Sequence, residues 1–198
     1  MSYSQETAQG SQASEHLAFL EHVSQQVERL EESQLDEKVA TSQIDPSTYP
    51  PEIQHIRSNL IEASSQLLYV SEGEEPYEFI FIPNEEINSL PDTGSEFASL
   101  IQQDNFNIMT EDEKITEHEN RVLTFQEFFE PLTGTNIEDP YGQRDGYKEL
   151  QKIAEAVFRG KENVKIYKIG GHRRVGVYIV GLVKGVGIAG LKTLSIES

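Results

Sequence analysis

The segment Val175–Val183 constrains the fold most, because it carries apolar side chains at odd and even positions alike. Successive side chains of a strand point to opposite faces, so both faces of this strand need apolar cover. The segment 77–82 has the same property, since aromatic and aliphatic residues alternate along it. Helical segments elsewhere in the chain can supply that cover. We therefore expect an α+β protein, a three-layer α-β-α sandwich with a mainly antiparallel sheet.

Hydrophobic spacing and turn residues divide the chain into short helices and strands. Apolar residues at helical spacing predict a helix that begins at Pro51 and runs to Val70. The glycine-bearing links Gly170-Gly171 and Lys184–Gly187 predict hairpins between the last three strands. Further helices are predicted at residues 96–101, 126–132 and 147–158, and strands at 77–82, 121–125, 164–169, 175–183 and 188–196.

Residues 1–50 are predicted to be an N-terminal extension that precedes the sandwich domain at residues 51–198. Residues 1–15 are rich in Ser, Gln, Glu and Gly, and we expect them to be disordered. Apolar residues at helical spacing predict one amphipathic helix at 16–33, followed by a linker at 34–50. That helix could pack on the core, pair with another chain or remain free. We therefore expect a monomer, or a weak oligomer formed through the helix.

Charge is distributed unevenly along this acidic chain. The formal net charge of −18 disfavours direct binding to nucleic acid, because phosphates would be repelled, and favours a basic partner. Residues 59–142 contain nineteen Asp or Glu and two Lys or Arg, whereas residues 143–198 contain five and eleven. The basic final third can therefore balance the acidic middle and leave an outer face negative. With no cysteine, no apolar run near ~20 residues and no leader pattern, we expect a cytoplasmic protein without membrane contact.

Three carboxylates crowd the segment Ser71–Pro76, which contains Glu72, Glu74 and Glu75. It lies between the helical run ending at Val70 and the strand that starts at Tyr77. Glycine and proline keep this segment out of helix and sheet, so we expect a short acidic loop held by two rigid elements. Such a loop could insert into a basic pocket of another molecule. The alternative is a solvated acidic turn without a partner.

Patterns typical of enzymes are weak in this chain, and we expect no catalytic activity. Gly185–Gly190 matches the dinucleotide-binding fingerprint, but that motif must open a helix, and the residues after it favour a strand. We therefore predict hairpin glycines there. The five histidines show no ligand spacing, and the acidic segment Glu111–His118 lacks the pattern of a calcium loop. Nothing in the sequence selects a pair of carboxylates for acid–base catalysis, and no cofactor of its own is expected.

The sequence ends on Glu197 and Ser198, directly after the last predicted strand. A terminus anchored by a strand presents an α-carboxylate that is ionised above pH ~4. The carboxylate of Glu197 and the hydroxyl of Ser198 lie beside it. Oxygens of this kind suit hard divalent cations such as Mg²⁺. The alternative is a chain end that only coincides with a strand end.

Two parts of the chain resemble the nuclease A inhibitor family. The first runs from Ile61 to Phe79 and includes Ser71-Glu72; the second comprises Asn163–Gly170, Val177–Gly181, Ala189–Thr193 and the final Glu197-Ser198. The resemblance covers roughly residues 59–198. It implies a small α-β-α sandwich, in agreement with the layers expected above. It also implies an inhibitor that plugs the active site of a metal-dependent, sugar-non-specific endonuclease and so protects the producing cell.

The resemblance also implies roles for individual residues. Glu72 follows the serine after the first helix, as the key glutamate of the family does, and Ser198 stands where the family has a terminal threonine that reaches the nuclease's metal. The family's Asp-Trp pair has no match, because the chain lacks tryptophan, and Asp139-Pro140-Tyr141 is the candidate replacement. The basic tip Arg173-Arg174 lies where the pattern of the family is acidic.

The sequence thus predicts a protein inhibitor of a DNA/RNA endonuclease that acts as a nucleic acid mimic. Glu72 is expected to meet a cation of the partner, and the carboxylate of Ser198 to reach the partner's Mg²⁺ or Mn²⁺. The complete set of predicted partner-binding residues is Glu72, Glu74, Glu75, Asp139, Tyr141, Glu197 and Ser198. The alternative function is an acidic interaction module that binds a basic protein without blocking an active site.

Overall fold

A central antiparallel sheet organises the structure, a computed structural model that describes residues 45–103, 120–171 and 173–197. Its helices are α1 (Pro51–Ser64), α2 (Gly94–Gln103), α3 (Phe125–Thr133) and α4 (Arg144–Val157), with short 3₁₀ turns at Pro46–Thr48 and Lys161–Asn163. Its strands are β1 (Leu68–Val70), β2 (Glu74–Pro76), β3 (Glu78–Pro83), β4 (Arg121–Leu123), β5 (Val164–Gly170), β6 (Arg174–Val183) and β7 (Gly187–Ile196).

Five of the strands form one sheet in the order β3-β7-β6-β5-β4, and every neighbouring pair is antiparallel. The strands β1 and β2 form a separate two-stranded hairpin. The predicted hairpins β5–β6 and β6–β7 are confirmed. Gly187 and Gly190 both lie in β7, and a Cβ on Gly190 would stand 2.0 Å from the carbonyl oxygen of Ile179. These glycines therefore allow close strand pairing, and they do not open a nucleotide-binding helix.

Apolar side chains cover both faces of β6, as the sequence pattern requires. Val177 and Ile179 belong to one buried cluster, whereas Tyr178 and Val180 belong to another. The first cluster also contains residues of α1, α3 and α4, and the second contains residues of α2. The predicted α+β class with a mainly antiparallel sheet is confirmed, and the two clusters agree with helices on both faces.

Buried aromatic rings fill the second cluster. The ring of Phe97 in α2 stacks on Tyr167 with centroids 4.1 Å apart and meets Tyr178 edge to face. The hydroxyl of Tyr167 donates to the carbonyl of Pro91 at 2.6 Å. Burial raises the pKa of both tyrosines well above the ordinary value. These phenols therefore stay neutral at physiological pH and act as apolar packing groups with a polar end.

Three of the predicted elements are wrong in their type or extent. Leu68–Val70 is a strand, because α1 ends at Ser64 and the backbone of Leu68 is bound by groups far along the chain. The segment from Glu74 to Pro76, expected to be loop, is the partner strand β2. Phe125 begins α3 and does not continue the preceding strand, since Thr124 caps that helix reciprocally with Glu127.

Several predictions fall on residues outside the described ranges. They concern the disorder expected at 1–15, the helix at 16–33, most of the linker at 34–50, the acidic segment Glu111–His118, and Ser198. The division into an extension at 1–50 and a domain at 51–198 stays a prediction, although all described residues belong to one compact unit. None of the helices in the described part has the length and apolar character that a bilayer span needs.

Candidate functional site

The acidic segment forms the end of a β-hairpin, which we call the acidic hairpin (residues 68–76). Tyr69 pairs with Glu75 and Val70 with Glu74, so residues 71–73 make the turn. Glu72 at this turn is exposed, as is Glu74, whereas Glu75 is half-buried. The sequence placed these three carboxylates on a loop; the structure displays them on a paired hairpin, where backbone bonds restrict their positions.

Hydrogen bonds from backbone and hydroxyl groups tie the acidic hairpin to the end of β7. The N–H of Glu72 donates to the carbonyl of Ile196 at 3.1 Å, and the N–H of Ile196 donates to Oγ of Ser71 at 2.9 Å. A Cβ on Gly73 would stand 3.1 Å from the Ile196 side chain, so glycine permits this approach. Farther along, the hydroxyl of Thr193 donates to the carbonyl of Glu75 at 3.3 Å. Glu72 is therefore fixed beside residue 196, although 124 positions separate them in the sequence.

Glu197 lies next to this junction. Its N–H donates to the carbonyl of Arg173 at 3.0 Å, and its Oε1 accepts from Oγ of Ser195 at 3.2 Å. The ammonium of Lys168 is 3.8 Å from the same carboxylate oxygen, whose side chain is about half exposed. Arg174 is opposite Ile196 in the strand register, so the exposed basic tip adjoins this acidic surface. The predicted position of Ser198 is not tested, because that residue is outside the described ranges.

A second candidate surface is the loop before α4, which we call the capping loop (residues 134–143). The predicted turn is present: the N–H of Gly142 donates to the carbonyl of Asp139 at 3.2 Å, and Gly142 has φ +66°. Both carboxylate oxygens of Asp139 accept backbone N–H groups, from Gln143 at 2.9 Å and Arg144 at 3.2 Å. Asp139 therefore anchors the start of α4, where a negative charge also suits the helix dipole.

Large apolar side chains project from the capping loop. Tyr141 is 55% exposed and Ile137 is 42% exposed. In the described part of the chain, these two are the exposed large hydrophobic residues. A guanidinium N–H of Arg144 donates to the carbonyl of Ile137 and restricts that end of the loop. Tyr141 was predicted from the sequence as a partner-binding residue, whereas Ile137 was not, because an isolated isoleucine in a polar loop carries no distinctive pattern.

The beginning of α4 joins the two surfaces. The N–H of Leu68 in the acidic hairpin donates to Oε1 of Gln143 at 2.6 Å. The carbonyl of Leu68 accepts from the hydroxyl of Tyr147 at 3.0 Å. The hydroxyl of Tyr147 also lies 3.1 Å from that of Tyr77, and burial raises the pKa of Tyr147 to about 12. The sequence placed Tyr147 at the start of a predicted helix, with no sign of this contact, and it gave no signal for Gln143.

The predicted residues thus fall at two places along the acidic hairpin. Glu72, Glu74 and Glu75 lie at or near its turn, and Glu197 lies beside the neighbouring strand end. Asp139 and Tyr141 belong to the capping loop, which meets the hairpin at Leu68. Glu72 is four positions after Leu68 in the sequence, a span of at most about 13 Å in an extended chain. The two places are therefore close enough for one protein partner to contact both.

The described ranges contain no group of three or more His, Cys, Asp or Glu side chains arranged to hold a metal ion. The carboxylates of the acidic hairpin point to a different chemistry. They are acceptors held on a paired backbone, and such groups suit arginine or lysine side chains of another protein.

A comparison with known protein families gives a match over most of the chain. Residues 54–198, well over half of the chain, match the family model described as nuclease A inhibitor-like protein. No curated protein matches the chain. The matched range includes the acidic hairpin, the capping loop and all of the large sheet. The predicted family is confirmed: this chain belongs to the nuclease A inhibitor-like proteins, a family of nuclease inhibitors.

Proposed function

We propose that this protein inhibits a metal-dependent, sugar-non-specific DNA/RNA endonuclease by occupying its active site. One observation carries the proposal: the hydroxyl of Ser71 and the backbone N–H of Glu72 are hydrogen-bonded to the backbone of Ile196, which places the exposed Glu72 beside the end of β7. Carboxylates held in this way can substitute for the phosphate oxygens of a nucleic acid. Family membership supports nuclease inhibition in general, and the target type and the blocking mode are our extension of it.

The charge of the protein supports a two-part description of binding. The net charge of −18 would attract the basic substrate groove of a nuclease over a distance and raise the association rate. Exposed ion pairs contribute only about 0–1 kcal/mol each, so this attraction alone does not give tight binding. Affinity then depends on a few contacts that lose water in the complex. We assign that role to Glu72, with Tyr141 of the capping loop as an aromatic anchor.

The metal in this proposal belongs to the partner. The nuclease would supply Mg²⁺ or Mn²⁺, and the carboxylate of Ser198, with Glu197 beside it, would bring oxygen ligands of the kind these cations prefer. This part depends on Ser198 carrying a free carboxylate. Residues added after Ser198 should therefore weaken inhibition of the nuclease, and full inhibition by such an extended chain would refute the metal contact while leaving the role of Glu72 open to its own test.

The decisive experiment titrates the protein into a metal-dependent non-specific endonuclease and follows the hydrolysis of both DNA and RNA. Glu72→Gln should raise the inhibition constant about 30-fold, equivalent to about 2 kcal/mol, because a desolvated cation of the partner loses its counter-charge. Glu155→Gln is the matched control, since it makes the same charge change on the exposed surface of α4. The proposal fails if the wild-type protein leaves hydrolysis unchanged.

The acidic interaction module remains the competing function, and the same assay separates it. A module that binds a basic protein without blocking its active site would bind the nuclease and leave hydrolysis unaffected. Removing residues 1–44 sharpens the comparison, because the cut leaves α1 intact, whereas a cut at residue 58 would remove the buried Ile53 and Ile56. Inhibition should survive this removal if residues 54–198 form the inhibitor.

A further inference from the structure

Both backbone groups of Leu68 are bound by the beginning of α4. The N–H donates to Oε1 of Gln143, and the carbonyl accepts from the hydroxyl of Tyr147. In an antiparallel strand the N–H and carbonyl of one residue point to the same side. Leu68 is opposite Pro76, which has no N–H to offer, and both polar groups of Leu68 are bonded to Gln143 and Tyr147 instead of to β2. The side of β1 that does not pair with β2 is therefore hydrogen-bonded to the rest of the protein at Leu68.

Gln143 is the central residue of this junction. Its own N–H donates to Oδ1 of Asp139, its carbonyl accepts the N–H of Tyr147 at 2.9 Å, and its side chain reaches Leu68. A continuous series of hydrogen bonds therefore runs from the capping loop, through Gln143, to the acidic hairpin. The turn of the hairpin is fixed separately, by the contact of Ser71 and Glu72 with Ile196.

We propose that Gln143 is a positioning residue that aligns the acidic hairpin with the capping loop before the partner arrives. This inference rests on the proposed function, because it assigns both surfaces to one nuclease-binding interface. Gln143 is half-buried and acts through Leu68 and Asp139, so it requires no contact with the partner. An interface whose two parts are already aligned loses less conformational entropy on binding, which increases affinity.

The test uses the full chain and two variants of similar size. Gln143→Met keeps the side-chain length but removes the acceptor for Leu68, whereas Gln143→Glu keeps an acceptor oxygen at the same reach. Thr93→Ala is the stability control, since it removes the hydroxyl that accepts the N–H of Glu96 at the start of α2, a helix whose buried residues belong to the second cluster. Amide hydrogen exchange of the folded variants and inhibition of the endonuclease are measured for each.

We expect Gln143→Met to speed exchange of the acidic hairpin amides about 3- to 10-fold and to raise the inhibition constant by a similar factor. Gln143→Glu should restore slow exchange, and Thr93→Ala should change neither property at the hairpin. The effect of Glu72→Gln on inhibition should also be smaller in the Gln143→Met background, because the two residues then act through one alignment.

Two results would overturn the inference. The first is hairpin exchange in Gln143→Met that equals that of the wild type. The second is faster exchange with unchanged inhibition, which would make Gln143 a purely structural residue. If the wild-type protein inhibits no endonuclease, the proposed function fails, whereas the exchange measurement still decides whether Gln143 fastens the hairpin.

Discussion

Ser71→Ala tests the contact that fixes the turn of the acidic hairpin. The hydroxyl of Ser71 accepts the N–H of Ile196 at 2.9 Å in a partly buried place. Its removal leaves that N–H without its acceptor, which costs about 1–2 kcal/mol of the free energy of unfolding. In a domain of this size, each kcal/mol lowers the melting temperature by about 2–4 °C, so a decrease of about 2–8 °C is expected.

Thermal unfolding followed by circular dichroism measures the Ser71→Ala effect. Ser65→Ala is the matched control, because its exposed hydroxyl donates only to the carbonyl of Glu62 at 3.0 Å, and its removal should change stability by less than about 0.5 kcal/mol. Ser71→Thr keeps an acceptor oxygen and should retain most of the stability. Equal melting temperatures for Ser71→Ala and Ser65→Ala would refute the reasoning, since they would show that the turn does not depend on Ile196.

Three further outcomes follow from the packing and the charges. Gly190→Ala should lower the free energy of unfolding by about 3 kcal/mol or more in urea titrations, because its Cβ would meet the carbonyl of Ile179. Gly185→Ala is the control: its Cβ would enter open space, so it should cost only about 1 kcal/mol, for the φ of +73°. Thr124→Ala should cost about 1 kcal/mol through the lost helix cap, again read from urea titrations. Between pH 10 and about 12, the free energy of unfolding should fall by about 1 kcal/mol per pH unit through Tyr147, because the unfolded phenol loses its proton while the folded one keeps it. Denaturation midpoints across that range should fall less steeply for Tyr147→Phe.

The sheet could be predicted because its signals are local and repeated. A ten-residue strand such as β6, apolar on both faces, needs cover on both sides, and its hairpin glycines lie within a few residues of it. The β1 strand could not be predicted in this way. Its three residues continue the apolar pattern of α1, and their extended conformation depends on Gln143 and Tyr147, which are 75 and 79 positions away from Leu68.

The candidate site likewise contains residues that local sequence patterns identify and residues that only tertiary contacts identify. Glu72 and Glu197 were identified from sequence motifs, and the structure supplied the contact between the hairpin turn and Ile196 that brings them together. Gln143 gave no signal, because glutamine before a helix is an ordinary residue and its function depends on a strand that was itself read as helix. Supporting contacts of this kind depend on tertiary structure and leave no periodic trace in one sequence.

The pairing of β3 with β7 has a consequence for how the protein acquires its active form. Ile80 is opposite Gly190, so a loop of more than 100 residues must close before these strands meet. The turn of the acidic hairpin is held by hydrogen bonds to Ile196, at the end of the strand that this loop closure must bring in. A partly synthesised or partly refolded chain would therefore present glutamates without a fixed arrangement, and inhibitory competence should emerge at the final step of folding, which stopped-flow refolding with a simultaneous nuclease assay can time.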